Sequence, residues 1–133
     1  MTTNYFLNSI MGNVFKSKTN PALPDNYYIG LSTSEPNIEG GNVSEPPSNG
    51  GYSRVLLTEL KEPVNGVITN KSSISFNEST SDWGVITHFV IYDAATDGNL
   101  LMYDTLTSSR TVESDTVVMI KADSLQLTLA NPA

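Results

Sequence analysis

Three sets of residues in this chain carry side chains that could do chemistry: a histidine, some acids around a turn, and a tryptophan. His88 is the only histidine, and it lies inside the apolar run 85–92. A hydrolase needs a nucleophile, a base and an orienting group within reach of one another. No serine lies in a Gly-x-Ser-x-Gly turn. We interpret His88 as a strand residue satisfied by local hydrogen bonds, and we predict no catalytic residue and no enzyme.

The acids lie around Asp97-Gly98, where Asp93 and Asp104 echo the ends of a calcium-binding EF-hand loop. Ala95 stands at the third ligand position, and the last carboxylate is an aspartate instead of the usual bidentate glutamate. The flanking segments also have strand character. A zinc site lacks ligands because the chain has no cysteine and one histidine. We predict a turn between two strands here, with no metal and no cofactor.

The single tryptophan, Trp83, could stack on a sugar ring together with some of the tyrosines. Its position directly before the apolar run 85–92 favours a residue that closes the end of a sheet. Outside the N-terminal segment the aromatic residues are thinly scattered, which gives little support to a carbohydrate platform. A carbohydrate-binding module therefore stays an alternative. Glycosidase chemistry needs two carboxylates in contrasting environments, and no acid lies in a context that would raise its pKa.

Charge and hydropathy exclude two classes of partner. Aspartate and glutamate number 14 against 7 lysines and arginines, so the formal net charge is −7. Nucleic-acid affinity depends on basic contacts to phosphates, and we expect no nucleic acid as partner. No run approaches the roughly 20 apolar residues of a membrane span. The start of the chain has no signal-peptide pattern. We expect no membrane association and no secretion through a signal of its own.

The pattern of apolar residues predicts a mainly β protein with one helix. Residues 4–16 form one apolar stripe at three- and four-residue spacing, with Thr2 or Thr3 as cap. The helix either packs on a sheet or docks onto a neighbouring subunit. Short apolar segments between turn residues then predict about seven or eight strands. We expect one domain over residues 1–133, an antiparallel β-sandwich or a barrel-like fold.

The longest stretch without secondary-structure signals is the Gly- and Pro-rich segment 33–51. Loops of this length in compact domains are usually functional or disordered. We favour function and predict an arm that contacts an assembly partner. If so, deleting residues 37–49 removes binding and leaves the fold intact. The candidate contact residues are Asn37, Ile38, Asn42, Val43, Pro46 and Pro47.

Several motifs follow one another in a specific order along nearly the whole chain. They include residues 28–36, 40–46, 50–54, 83–89 and 93–101. In this order they resemble small virion structural proteins of tailed bacteriophages, a group whose members are described as tail fibre, minor structural or capsid decoration proteins. The resemblance implies a non-enzymatic virion component that is assembled in the bacterial host cytoplasm.

The chain itself favours one position of such a component in the particle. Long fibres show heptads, collagen-like repeats or β-helical periods, and this chain has none of them. A compact acidic domain with a long loop suits a capsid lattice, where many weak contacts add up. Capsid decoration is therefore the expected function, with the major capsid protein as partner and a trimer as a plausible homo-oligomer. The alternatives are a tail fibre or baseplate component bound to tail proteins, or a receptor-binding module that recognises carbohydrate.

Overall fold

The computed structural model describes residues 1–16 and 23–129, and these residues are mainly β. One α-helix, α1 (Asn4–Phe15), precedes eight strands that pair in antiparallel fashion, and a short 3₁₀ helix spans Ser48–Gly50. Among the residues described, no helix has the length and apolar character needed to cross a membrane. The strands are β1 (Tyr28–Ser32), β2 (Val55–Leu56), β3 (Val67–Thr69), β4 (Ile74–Ser75), β5 (Gly84–Tyr92), β6 (Leu100–Val112), β7 (Met119–Ile120) and β8 (Gln126–Thr128).

The main sheet has four strands in the order β2-β1-β5-β6. β5 lies in the interior of this sheet, as its continuous apolar run predicts. Its residues pair with β1 from Tyr28↔Tyr92 to Ser32↔His88. β6 forms the other neighbour of β5, and the two strands shift register between Ile86 and His88. The predicted mainly β class with one N-terminal helix is confirmed.

Two short ribbons complete the fold: β3 pairs with β8, and β4 pairs with β7. They pack with one face of the main sheet around a core of buried apolar side chains. The members of this core with almost no exposure include Ile29, Leu31, Ile86, Ile91, Leu101, Val112 and Leu125.

The opposite face of the main sheet is covered by the loop at 33–51. Val90, Tyr92, Leu100 and Tyr103 form a second buried cluster there, and Val43 from the loop packs against it. A sheet with both faces buried has strands that are apolar on both sides. The loop therefore supplies the layer that buries this second face.

Helix α1 begins where Thr3 caps it. The Thr3 hydroxyl accepts a hydrogen bond from the backbone N–H of Phe6 at 3.3 Å and donates to the carbonyl of Leu100 at 2.7 Å. One side chain thus caps the helix and attaches it to β6. The helix ends one residue before the predicted boundary, and the N–H of Lys16 bonds to the carbonyl of Gly12.

Two turns match the dipeptides that predict them. Asn65 and Gly66 have φ values of 53° and 79°, and the N–H of Val67 bonds to the carbonyl of Val64 at 3.0 Å. Asp97 and Gly98 have φ values of 54° and 76°. Positive φ at both central residues is the geometry of a type I′ turn, which Asn-Gly and Asp-Gly favour.

The pattern of segment 52–60 predicts one continuous strand, and the structure departs from this prediction. Within this segment only Val55 and Leu56, which form β2, pair with β1. Leu57 still donates to the carbonyl of Tyr27, but Leu60 instead bridges to Asn70. The chain leaves the main sheet here and joins the β3–β8 side, so a single continuous strand does not form.

Candidate functional site

His88 is buried in the main sheet, with 9% of its surface exposed. Its Nδ1 atom hydrogen-bonds with the Thr87 hydroxyl at 2.8 Å, and its Nε2 atom lies 3.4 Å from the Thr105 hydroxyl. The neighbours on its own strand and on β6 therefore satisfy both ring nitrogens. The predicted local hydrogen bonds of His88 are confirmed.

The acids at the β5–β6 connection close a turn. The Asp93 carboxylate accepts from the backbone N–H of Asn99 at 2.7 Å and from its side-chain amide at 3.0 Å. Within residues 1–16 and 23–129, no three histidine, cysteine, aspartate or glutamate side chains come together as metal ligands would. The Asp93 side chain therefore closes the connection between β5 and β6.

Trp83 is buried just before β5, with 4% of its surface exposed. Its indole N–H donates to the carbonyl of Gly50 at 2.9 Å, and its ring meets the Tyr52 ring edge-on at a centroid distance of 5.6 Å. A sugar cannot reach the face of a ring packed in this way. Trp83 instead holds the end of the covering loop against the core.

A buried polar cluster formed by Glu45, Tyr52 and Arg54, which we call the clamp, fastens the loop to the main sheet. The guanidinium of Arg54 forms a bidentate ion pair with the Glu45 carboxylate. The Nε–Oε2 distance is 3.0 Å and the Nη2–Oε1 distance is 2.7 Å. Its remaining nitrogen, Nη1, donates to the carbonyls of Ala94 and Asp97, both at 2.8 Å. Arg54 therefore ties the covering loop to the β5–β6 turn.

Tyr52 completes the clamp from the core side. Its hydroxyl donates to Glu45 Oε2 and accepts from the backbone N–H of Leu31 at 3.0 Å. This approach requires a glycine at position 30, because a Cβ there would lie 2.4 Å from the Tyr52 oxygen. The Arg54 guanidinium also lies over the Tyr92 ring, 3.6 Å from its centroid, in a cation–π contact.

The clamp shifts the pKa of its members. Burial raises the pKa of Tyr52 far above its ordinary value, and the Glu45 carboxylate raises it further. Burial acts to lower the pKa of Arg54, but Glu45 outweighs this effect and the net shift is upward. Burial likewise raises the pKa of Tyr92. These shifts favour neutral tyrosines and a charged Arg54 in the clamp.

The predicted contact residues of the loop divide into those facing inward and those facing outward. Pro46 is buried and Val43 half-buried against the sheet. Asn37 accepts two backbone N–H bonds at about 3 Å through Oδ1, and Asn42 donates to the carbonyl of Glu35 at 2.7 Å. Both asparagine side chains thus shape the loop itself. Ile38, with 41% of its surface exposed, and Pro47 remain on the outside.

Helix α1 has an exposed apolar row made by Leu7, Met11 and Phe15, which we call the outer row. The exposed fractions are 42%, 56% and 70%, and spacing of four residues places the three side chains along one face. No residue from Asn4 to Phe15 is an aspartate, glutamate, lysine or arginine. The backbone N–H of Asn4 bonds to the carbonyl of Ile38 at 2.9 Å, so the loop tip lies at the start of this helix.

An apolar groove of about 330 Å³ lies beside the inner face of α1. Its walls come from the helix, from the segment after β2 and from the end of β8, and polar atoms contribute almost nothing to them. Its lining includes Phe6, Ile10, Leu57, Leu60, Leu127 and Leu129. The groove and the outer row together give the helix side of the protein an extended apolar surface.

Sequence reasoning found part of this arrangement and missed part. From the sequence, Arg54 in the motif 50–54 is expected to pair with a nearby acid, and the structure confirms such a pair. The partner Glu45 and the bond from Tyr52 were not predicted. The motif Gly-Gly-Tyr-Ser-Arg at 50–54 was the available signal. The pocket beside β6, described below, was missed entirely because its strand bulge has no local sequence signature.

The fold and these surfaces define a mainly β protein with a loop-covered sheet and an exposed apolar helix. A family model described as "Podophage GP4 fiber I protein gp80" matches residues 1–128. The chain belongs to this family, and it is a structural protein of a tailed-phage virion. No curated protein matches the chain. The resemblance stated from the motifs is confirmed, and the description of the family names a fibre instead of a capsid protein.

Proposed function

We propose that this protein is a non-enzymatic component of the phage tail fibre. The observation that carries the proposal is the match of a fibre-protein family across residues 1–128. The chain resembles one family over nearly its whole length, so the match concerns the entire fold and not a shared short motif. The saturated environment of His88 supports a role without catalysis.

The outer row of α1 is the surface we propose for attachment to another fibre protein. Its side chains expose apolar area that would be removed from water on binding, which is favourable by about 25 cal/mol per Å². The helix bears no charged side chain, while the chain carries a net charge of −7. Binding of an apolar partner surface to this helix therefore removes no charged helix side chain from water. Ile38 extends the same surface from the loop, and Pro47 is a second loop residue available for contact.

Immunogold electron microscopy of intact particles tests the location. Label on the tail fibres supports the proposal. Label spread over the head contradicts it and favours the capsid decoration first expected from the sequence, with the major capsid protein as partner. Label at the baseplate, away from the fibres, would keep the protein in the tail but contradict a fibre role.

Variants of the outer row test the attachment surface. We expect Met11→Glu and Phe15→Glu to fold normally, because both side chains are more than half exposed, and to be absent from purified particles. Val117→Glu is the matched control, since Val117 is 52% exposed and belongs neither to α1 nor to the loop that bonds to its start. Incorporation of the helix variants at the control level would contradict attachment through α1.

The oligomeric state of the free protein separates two partners for the outer row. Light scattering that gives a trimer, converted to a monomer by Met11→Glu, would assign the outer row to contacts between copies of this chain. A monomer that still enters particles through α1 would assign it to a different fibre protein.

A further inference from the structure

A pocket of about 200 Å³ lies between β6 and the segment 118–125. Two cations, Arg110 and Lys121, line it together with the hydroxyls of Thr107, Ser108 and Ser124. Phe89 and Leu125 contribute apolar side chains to its walls. We call it the β6 pocket.

The pocket is shaped by a large bulge in β6. Ile86 pairs with Arg110 and His88 pairs with Thr105. Between these pairs β5 has one residue, Thr87, whereas β6 has the four residues 106–109. Bulges redirect side chains and occur preferentially beside functional sites. Here the bulge brings Thr107 and Ser108 to the same pocket as Arg110.

The two cations of the pocket have no partner of their own. Within the residues that the structure describes, neither the Arg110 guanidinium nor the Lys121 ammonium makes an ion pair or a hydrogen bond. Arg54 and Lys61, by contrast, are paired with Glu45 and Asp123. In a chain with twice as many acids as bases, two unpaired cations at one pocket are available for an anion.

We propose that the β6 pocket binds an acidic sugar residue, a sugar ring that bears a carboxylate or a phosphate. The cations match the anionic group, since an ionised partner strengthens a hydrogen bond. The serine and threonine hydroxyls can exchange hydrogen bonds with ring hydroxyls. The apolar wall suits the C–H face of a ring. The pocket is smaller than the roughly 300–1,000 Å³ of drug-sized ligand sites, which fits one sugar unit.

A nucleic acid fits this surface less well. Two basic side chains give few phosphate contacts, and the net charge of −7 opposes a polyanion. A short glycan with one anionic group binds the two cations through that group. Unlike a nucleic acid, it brings no further negative charges close to the acidic surface of the protein. The biological reading, contact with an acidic glycan of the host surface, rests on the proposed fibre function.

Titration of the full chain by NMR tests the pocket, with glucuronic acid, glucose 6-phosphate, glucose and inorganic phosphate as probes. We expect the two acidic sugars to shift the resonances of the bulge and of segment 118–125. We expect Arg110→Gln and Lys121→Gln each to weaken this binding about tenfold or more, the usual effect of losing one hydrogen bond to a charged group. Lys71→Gln is the control, because it removes the same charge outside the pocket.

Each result decides one part of the proposal. Equal binding of glucose would overturn the role of the cations, and equal binding of inorganic phosphate would overturn the role of the sugar ring. If neither acidic sugar shifts the resonances at the pocket, the site is overturned, as it is by unchanged affinity of both pocket variants. Glucuronic acid without glucose 6-phosphate, or the reverse, would support the site and identify its anionic group.

The titration and the immunogold experiment fail independently. Acidic-sugar binding by a protein located on the head would keep the β6 pocket and reject the fibre function. A fibre-located protein without such binding would do the opposite.

Discussion

Arg54, which lies over the Tyr92 ring, and Arg110, which lines the β6 pocket, have opposite surroundings. The Arg54 side chain is 6% exposed and uses its nitrogens on one carboxylate and two carbonyls. Arg110 is exposed and lines the β6 pocket, and its guanidinium makes no ion pair or hydrogen bond in the described part of the chain. The guanidinium of Arg54 is thus hydrogen-bonded within the folded protein, whereas that of Arg110 is available to a ligand.

The difference separates the structural site of this protein from its candidate binding site. A buried charge requires a partner and complete hydrogen bonding, because its removal from water is costly. The clamp meets this requirement and therefore holds the loop at 33–51 on the sheet. An exposed cation has no such requirement, so its convergence with a second cation and several hydroxyls on one pocket is not explained by folding.

The largest expected effect comes from deleting residues 37–49. The sequence alone suggested that this loop could be removed cleanly. The structure predicts otherwise, because the deletion removes Val43 from the second face of the sheet and Glu45 from Arg54. We expect a loss of more than about 5 kcal/mol, enough to unfold a domain of ordinary stability. Circular dichroism and thermal melts measure it, and a cooperative transition near that of the intact protein would show that the loop is not a structural layer.

Arg54→Ala is expected to have the next largest effect. It leaves the Glu45 carboxylate without its cation in a partly buried position, which costs about 3–5 kcal/mol for a broken buried pair. Urea unfolding gives the free energy directly. Arg110→Ala is the matched control and should change stability by less than about 0.5 kcal/mol, as surface substitutions do. Similar losses for the two variants would remove the distinction between the arginines.

Tyr52→Phe should cost less than Arg54→Ala. It keeps the ring that packs against Phe76 and Trp83 and removes only the hydroxyl. The N–H of Leu31 and one oxygen of Glu45 then lose a partner, at about 1–3 kcal/mol. The same urea experiment measures it. A neutral result would mean that water or a shift of Glu45 replaces the hydroxyl.

Stability should fall at alkaline pH, and Tyr52 should account for part of the fall. The pKa of Tyr52 is raised in the folded protein, while the unfolded chain ionises near its ordinary value of 10.0. Above pH 10 the unfolded state therefore holds fewer protons, and stability declines by about 1.4 kcal/mol per pH unit for each such group. Below pH 10 this contribution is fully present.

The alkaline effect is checked by urea unfolding at a series of pH values above 10. Burial also raises the pKa of Tyr27, Tyr92 and Tyr103, so the wild-type slope includes several tyrosines. Tyr52→Phe should reduce the pH dependence of the free energy of unfolding by the contribution of one tyrosine, about 1.4 kcal/mol per pH unit. An unchanged slope would mean that Tyr52 ionises alike in both states, contrary to its place in the clamp.

Local sequence patterns were enough for many elements of the fold. The period of apolar residues located α1 to within one residue, and the continuous apolar run identified β5 as the interior strand. Asn65-Gly66 and Asp97-Gly98 marked their turns, because few residues accept positive φ. The segment 52–60 was the failure, since its pairing partner changes midway from β1 to Asn70 and no local pattern records the change.

For the candidate sites too, local contacts were predicted from the sequence and contacts between remote segments were not. His88 was correctly interpreted because its hydrogen-bond partners lie on its own strand and on the neighbouring one. The loop residues Val43 and Pro46 were predicted as contacts from composition, yet the structure turns both toward the protein. Composition identifies a loop but cannot say which surface the loop packs on.

The sequence by itself determined the mainly β class, the helix and the turns, because these depend on side-chain periodicity and on the φ values that a few neighbouring residues permit. It also determined the family, through motifs spread over nearly the whole chain. Only the tertiary structure decided which arginine side chain is buried and hydrogen-bonded and which stays exposed and, within the described residues, unpaired. Arg54 reaches carbonyls 40 and 43 residues away, whereas the bulge of β6 leaves Arg110 in an open pocket. Such outcomes depend on distances between remote segments, and these distances exist only once the chain has folded.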